Sequence, residues 1–263
     1  MRFLAALSLA AVCAPALATC PKHDLTDPAR VRLSGDQVLI VTHASSNFDA
    51  RASSKRGLDD AVHFAKQHRI PVVYLQDDSP PNLYFMDDCD PAYWVSSVDG
   101  EVGFELKASQ VYVAGGHLEL CLSRTLHDIL LLWSRQPGRS LTITYLMDAV
   151  YSNGKSIEES APYYRDFERF MGVVTYGRPG GEHWPKLTLL ETMGVIKKES
   201  HEIEYLKSIL PHYARTMPPD YRVELRLNGS APQVLRAAPG RNPPTLQFRF
   251  VDSAAELSRS GSE

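Results

Sequence analysis

Residues 111–128 read VYVAGGHLELCLSRTLHD, and their order decides the fold. Val111-Tyr112-Val113-Ala114 is a short apolar run, and Gly115-Gly116 gives it a tight exit, so the run reads as a buried strand. Beyond the glycines the apolar period changes. Leu122, Leu126, Ile129, Leu130 and Trp133 fall on one face of a helix. A further strand follows at Leu141–Leu146 and ends at Asp148-Ala149.

The same unit stands upstream. Gln37–Val41 is a short apolar run; Ser54 is placed to cap a helix bearing Leu58, Ala61, Val62 and Ala65 on one face; Ile70–Leu75 is a second run. Continuous rather than alternating apolar strands belong to a parallel sheet covered on both faces. The chain is therefore expected to form an α/β, Rossmann-like three-layer sandwich with a mainly parallel sheet. In such sheets ligands bind past the carboxyl ends of the strands. The segments after Val41, Leu75, Ala114 and Leu146 should thus surround any site.

Residues 79–106 mix acids and aromatics (Tyr84, Phe85, Asp87, Asp88, Tyr93, Trp94) and read as irregular. They are either a lid over the site or a loop that packs its rings on the sheet. Helical patterns return near Ser160–Phe170 and Lys198–Leu210, with a Gly/Pro loop at Arg178–Gly181. Two alternating segments, Val223–Leu227 and Leu246–Phe250, predict a small C-terminal β appendage over 218–252, on the sheet or beside it. Asn228-Gly229 supplies turn chemistry between them. The α/β domain spans 19–217, and the polar stretch 253–263 is expected to be a disordered tail.

The first residues carry an address. Met1-Arg2-Phe3, an apolar run from Leu4 to Val12, Pro15 and Ala16-Leu17-Ala18 follow the order of a secretory leader, residues 1–18. That run is too short to span a bilayer, which takes about 20 residues, and no later stretch predicts a transmembrane segment. The mature chain is expected in the periplasm or outside the cell. Leu17-Ala18-Thr19-Cys20 looks like a bacterial lipidation site, but Thr19 stands where a small Gly, Ala or Ser is preferred. Plain cleavage is favoured over a lipid anchor at Cys20. A net charge of −3 with both signs interspersed gives no basic face for nucleic acid. After cleavage Cys20, Cys89 and Cys121 remain, so one disulfide and one free thiol are possible in any of three pairings.

Cys121 stands in the first turn of its helix, where unpaired N–H groups and the dipole favour a thiolate and can hold an oxyanion. It is a candidate nucleophile; the alternative is a small cysteine packed between helix and sheet. The pattern of Gly115, Cys121-Leu122, Thr125 and Asp128 resembles the cysteine segment of the isochorismatase-like cysteine hydrolases, here a divergent, exported member. Val38–Val41, Phe48 and Asp148-Ala149 match the same frame, and the resemblance covers roughly residues 37–175. It implies a Rossmann-like sheet and a site where cysteine attacks an amide-like bond.

The chain departs from the family at two places. His43 stands where the family has its catalytic Asp. Asp78 to Leu106 holds no lysine for the family's catalytic Lys, and Lys107 lies too close to the next strand. His43 is a candidate base for Cys121, since a Cys–His pair suffices for nucleophilic attack. It is otherwise a loop residue or a histidine satisfied by backbone. His117, Gly116 and Asp77 are candidate substrate-binding residues. His43, His117 and Asp77-Asp78 have donor types that bind zinc, but their spacing matches no metal motif. His43-Ala44-Ser45-Ser46 replaces any phosphate-binding glycine loop, so no cofactor is expected. A small-molecule ligand is. Two functions stay open: a thiol hydrolase acting through Cys121, or a catalytically degenerate binding protein.

Overall fold

The apolar runs become parallel strands that bury both faces. A computed structural model describes residues 25–79, 83–117, 121–136, 138–151, 221–226 and 231–260. The leader, Cys20, the helical patterns near 160–170 and 198–210 and the loop at 178–181 lie outside the described residues, as does the turn at Asn228-Gly229. In chain order the elements are β1 (Gln37–Thr42), α1 (Lys55–Gln67), β2 (Val72–Gln76), β3 (Tyr93–Ser96), β4 (Gln110–Gly116), α2 (Cys121–Ser134), β5 (Leu141–Tyr151), β6 (Arg222–Arg226), β7 (Gln233–Arg236), β8 (Thr245–Val251) and α3 (Ala254–Ser260).

The described strands form one sheet in the order β3-β2-β1-β4-β5-β8-β6-β7. All are parallel except β7, which runs antiparallel to β6. From β1 the chain winds outward to β2, then crosses back to β4 on the other side. Val41 pairs with Ala114 and Thr42 with Gly115 at that switch. The carboxyl ends of β1 and β4 therefore lie side by side where an open α/β sheet forms its crevice.

Alternate strand residues serve opposite layers. Val38, Ile40, Val73, Val111 and Val113 join Leu122, Leu126, Ile129 and Trp133 of α2 in one core. Leu39, Val41, Tyr74 and Ala114 join Leu58, Ala61 and Ala65 of α1 in the other. Two covered faces explain why these strands read as unbroken apolar runs.

Three segments differ from expectation. Leu246–Phe250, expected on the sheet or beside it, joins the sheet not at its margin but inside it: β8 lies between β5 and β6, with Phe248 and Phe250 buried. It alternates because Gln247 and Arg249 on its second face are only half-buried. Residues 254–260, expected to be disordered, form α3, with Ala254 and Leu257 buried in the core that α1 helps to build. One apolar face three residues apart is easily hidden in a polar composition. The irregular segment after β2 contains β3, and its rings pack on the sheet. Trp94 lies 4.6 Å from Tyr74 and 5.2 Å from Tyr84 between ring centroids, which favours the packed loop over the lid. Among the described residues no helix is long and apolar enough to cross a membrane.

Candidate active site

β1 delivers His43 one residue past its end. The backbone there has φ 48°, a left-handed conformation uncommon outside glycine. The His43 N–H donates to Leu75 O at 2.9 Å, which ties the turn to the end of β2. The ring is 1 % exposed and stacks on Phe48 at 5.0 Å. Its Nε2 lies 2.8 Å from the Ser97 carbonyl. A carbonyl only accepts, so Nε2 carries the proton and Nδ1 keeps the lone pair. Nδ1 is buried and has no hydrogen-bond partner among the described residues. Burial pushes the imidazole pKa down, against the Ser97 carbonyl, Asp77 and Glu101, which push it up. His43 is thus a neutral imidazole with a fixed tautomer and an unused lone pair.

β4 delivers Gly115, Gly116 and His117 beside it. Gly115 has φ 90°, and a Cβ there would stand 2.0 Å from Thr42 O. Only glycine fits on both counts. A Cβ on Gly116 would stand 2.6 Å from Tyr151 O and 2.9 Å from its ring. Gly116 therefore serves close packing of β4 on β5. His117 Nε2 lies 2.8 Å from Phe48 O, and its ring meets Phe48 and Tyr151 edge-on. Phe48 is thus wedged between the two histidines. The Tyr151 hydroxyl donates to His43 O, which anchors the turn from a third strand.

α2 delivers Cys121, whose thiol is free. Cys89 is disulfide-bonded, so a Cys89–Cys121 pairing is excluded and the nucleophile candidate survives. The partner of Cys89 lies outside the described residues. The helix start was expected to favour a thiolate. Instead the thiol is pushed up to about 12, first by burial and then by Asp99, Asp77 and Glu101, with its own backbone N–H opposing weakly. Desolvation and three carboxylates outweigh the dipole, and Cys121 is a neutral thiol at pH 7.

The loop that carries Asp99 and Glu101 is held by α2 itself, while Asp77 directly follows β2. Thr125 Oγ1 lies 2.7 Å from Gly100 O, 3.0 Å from Cys121 O and 2.9 Å from Thr42 Oγ1. A hydroxyl has one proton, so Thr125 donates to one of the two carbonyls and accepts from Thr42. Asp128 Oδ2 accepts the Val102 N–H at 3.0 Å. Gly100 presses on the helix start, where a Cβ would stand 2.2 Å from Cys121 O. The carboxylates themselves differ. Burial raises Asp77, while His43 and donors on Ser79 pull it down. Burial also acts on Glu101, but the N–H groups of Glu101 and Asp99, the Ser97 hydroxyl and Arg124 hold its carboxyl below the usual range.

Asp77 and Glu101 act electrostatically on both His43 and Cys121. His117 packs against Phe48 and Tyr151, and Gly116 against Tyr151. Sequence reading missed Ser97, Asp99, Glu101 and Tyr151 altogether. It also missed Asp49: Ser54 stands at the cap of α1, but its hydroxyl and N–H donate to Asp49 at 3.0 and 2.9 Å. Among the described residues no group of three or more His, Cys, Asp and Glu side chains is arranged to hold a metal ion.

No family model matches this sequence, and no curated protein matches it. The chain is similar to several solved structures. One is an isochorismatase family protein from Desulfovibrio vulgaris, with 11% identity over 52% of this chain and 91% of that one, TM-score 0.35. Another is a cysteine hydrolase from Pseudomonas syringae, with 13% identity over 44% and 73%, TM-score 0.35. A third is the MAR1 ribonuclease from Caenorhabditis elegans, with 15% identity over 71% and 92%, TM-score 0.35.

Proposed function

We propose that this chain is an exported thiol hydrolase that cleaves a small amide-like bond, with Cys121 as nucleophile and His43 as base. The observation that carries the reading is the unused Nδ1 lone pair of His43. It belongs to a neutral, tautomer-fixed imidazole, and Asp77 and Glu101 act electrostatically on both that ring and a free thiol. A buried acceptor without a partner is costly and points to work done on a ligand or a proton.

In the proposed reaction Cys121 Sγ attacks the carbonyl carbon while Nδ1 takes the thiol proton. Backbone N–H groups at the α2 start hold the oxyanion. His43 then gives that proton to the departing nitrogen, leaving a thioester. Water attacks the thioester, gives a proton to Nδ1, and the acid leaves as the proton returns to Sγ. The net change is amide plus water to acid plus amine. Asp77 and His117 orient the substrate, and Gly116 keeps β4 and β5 close. The leader pattern at residues 1–18 supports export, as does a disulfide-bonded cysteine.

The raised thiol favours a second reading, a binding protein that no longer turns over. Acid release from a panel of small amides, with mass detection of the acyl-enzyme, separates the two. The hydrolase reading expects Cys121→Ala to abolish turnover and His43→Ala to slow it about 10²–10⁴-fold. Turnover unchanged in Cys121→Ala would overturn it, and binding without turnover in the wild type would leave the second.

A further inference from the structure

We propose that Cys20 and Cys89 form a disulfide in the exported chain, which ties the chain ahead of Thr26 to a turn beside the site and leaves Cys20 no sulfur for a lipid. The pairing rests on the export part of the reading above and is independent of the hydrolysis.

The chain has four cysteines, at positions 13, 20, 89 and 121. Cys89 is disulfide-bonded within this single chain, and Cys121 is free. The partner of Cys89 is therefore Cys13 or Cys20, and Cys13 belongs to the leader that cleavage removes. The path of the chain agrees. Thr26 makes a parallel bridge to Val95, and its N–H donates to Trp94 O. That bridge seats Thr26 along β3, at the margin of the sheet. Cys20 and Cys89 each stand six residues before the bridged pair. Six residues of chain reach at most ~20 Å, ample for the ~6 Å between the Cα atoms of a disulfide.

Cys89 itself sits on a turn that is held in place. The Asp90 N–H donates to Asp87 O at 2.9 Å, Trp94 Nε1 donates to Asp88 O at 3.4 Å, and Lys66 of α1 pairs with Asp90. The stretch just before that turn reaches the site. The Phe85 N–H donates to Ala44 O at 3.1 Å and the Ser46 N–H to Leu83 O at 2.9 Å, in an antiparallel pairing with the residues that follow His43. The disulfide thus closes a clamp behind the His43 turn.

The bond forms by exchange with a disulfide oxidant of the exporting compartment. The Cys89 thiolate attacks that disulfide and displaces one of its thiolates. The Cys20 thiolate then attacks Cys89 Sγ and displaces the other. The protein gives up two protons and two electrons, and the oxidant leaves as a dithiol. Lipidation would instead make Cys20 Sγ a thioether, and one sulfur cannot do both.

The test uses the full chain, leader included, recovered from the periplasm of a bacterial host. Free thiols are blocked with iodoacetamide, the protein is cut with trypsin, and peptides are read by mass before and after reduction. The expected result is peptide 19–22 linked to peptide 70–107, with Cys121 alkylated in peptide 108–124. A diacylglyceryl group on Cys20, an alkylated Cys89, or a link from Cys89 to Cys13 or Cys121 each overturns the pairing. A link to Cys13 also shows a retained leader and sinks export with it. Cys20→Ser and Cys89→Ser should each lower Tm by about 10 °C, and the double variant by no more than either. Losses that add would overturn the bond. Hydrogen exchange at the Ser46 and Phe85 amides should quicken about tenfold or more in Cys20→Ser, and unchanged exchange would overturn the clamp. None of these readouts depends on amide turnover, whose absence sinks the hydrolase and leaves the disulfide standing.

Discussion

Two regions of the molecule put carboxylates against backbone, with opposite results. At the ends of β1 and β4, Asp49 is buried, yet the backbone and hydroxyl donors of Ser53 and Ser54 hold its carboxyl below the ordinary value near 3.8. At the junction of β5, α1 and α3, Asp148 is pushed up to about 6 by burial, then by Asp60, against the N–H groups of Asp148 and Ala149, with Glu256 adding to the rise. Asp49 is the more deeply enclosed of the two side chains and is the one that stays charged. Donors supplied to the carboxylate, rather than depth, decide the outcome. Asp49 has hydroxyl as well as backbone donors from Ser53 and Ser54, whereas Asp148 has two backbone donors set against the like charges of Asp60 and Glu256.

The glycines of the two regions sharpen the contrast most. A Cβ on Gly115 would stand 2.0 Å from Thr42 O, and one on Gly57 would stand 2.2 Å from Asp148 O. Both meet backbone, but Gly115 also has φ 90° while Gly57 lies in α1. Gly115→Ala should cost about 4 kcal/mol or more, and Gly57→Ala about 3 kcal/mol, by urea denaturation. Equal losses would mean that the backbone angle at Gly115 adds nothing.

Next in size is Asp49→Asn. The amide keeps one oxygen for the donors of Ser53 and Ser54, and a stability loss of about 2 kcal/mol is expected at pH 7. Its folded pKa is depressed, so its contribution is full above the unfolded value and is lost as pH falls below about 4. Wild type and variant should therefore converge in acid. A gap that persists at low pH would assign the loss to packing instead.

The smallest effect is expected at Asp148, whose side chain water still reaches. Its folded pKa is raised, so its contribution is present below about 3.8 and lost as pH rises through about 6. Asp148→Asn should leave stability unchanged in acid and raise it slightly above pH 6. A loss above pH 6 would show that the charged form is bound by something useful.

The covered strands were legible because burial on two faces leaves an unmistakable apolar run, as at Val38–Val41 and Val111–Ala114. β3 was not, since its four residues span too little chain for a period to show. α3 hid behind polar neighbours. In the site, His43 could be read because it directly follows β1, and Cys121 because it opens the helix after β4. Their partners could not. The carbonyl that fixes the His43 tautomer is Ser97's, 54 residues on, and the hydroxyl that anchors its backbone is Tyr151's, 108 residues on. The thiol's state was misjudged for the same reason, because the helix start is local and the acids that overrule it arrive from another loop.

The position of β8 has a consequence in time. Leu141 of β5 pairs with Leu246 of β8, so the middle of the sheet closes with a strand made after all but one of the described elements. Until that strand emerges, β5 has one open edge and an apolar face without its neighbour. A chain made from its first residue onward cannot complete this sheet early, because the partner of β5 comes nearly last. Until residue 251 arrives, that edge of β5 stays open to wrong pairing.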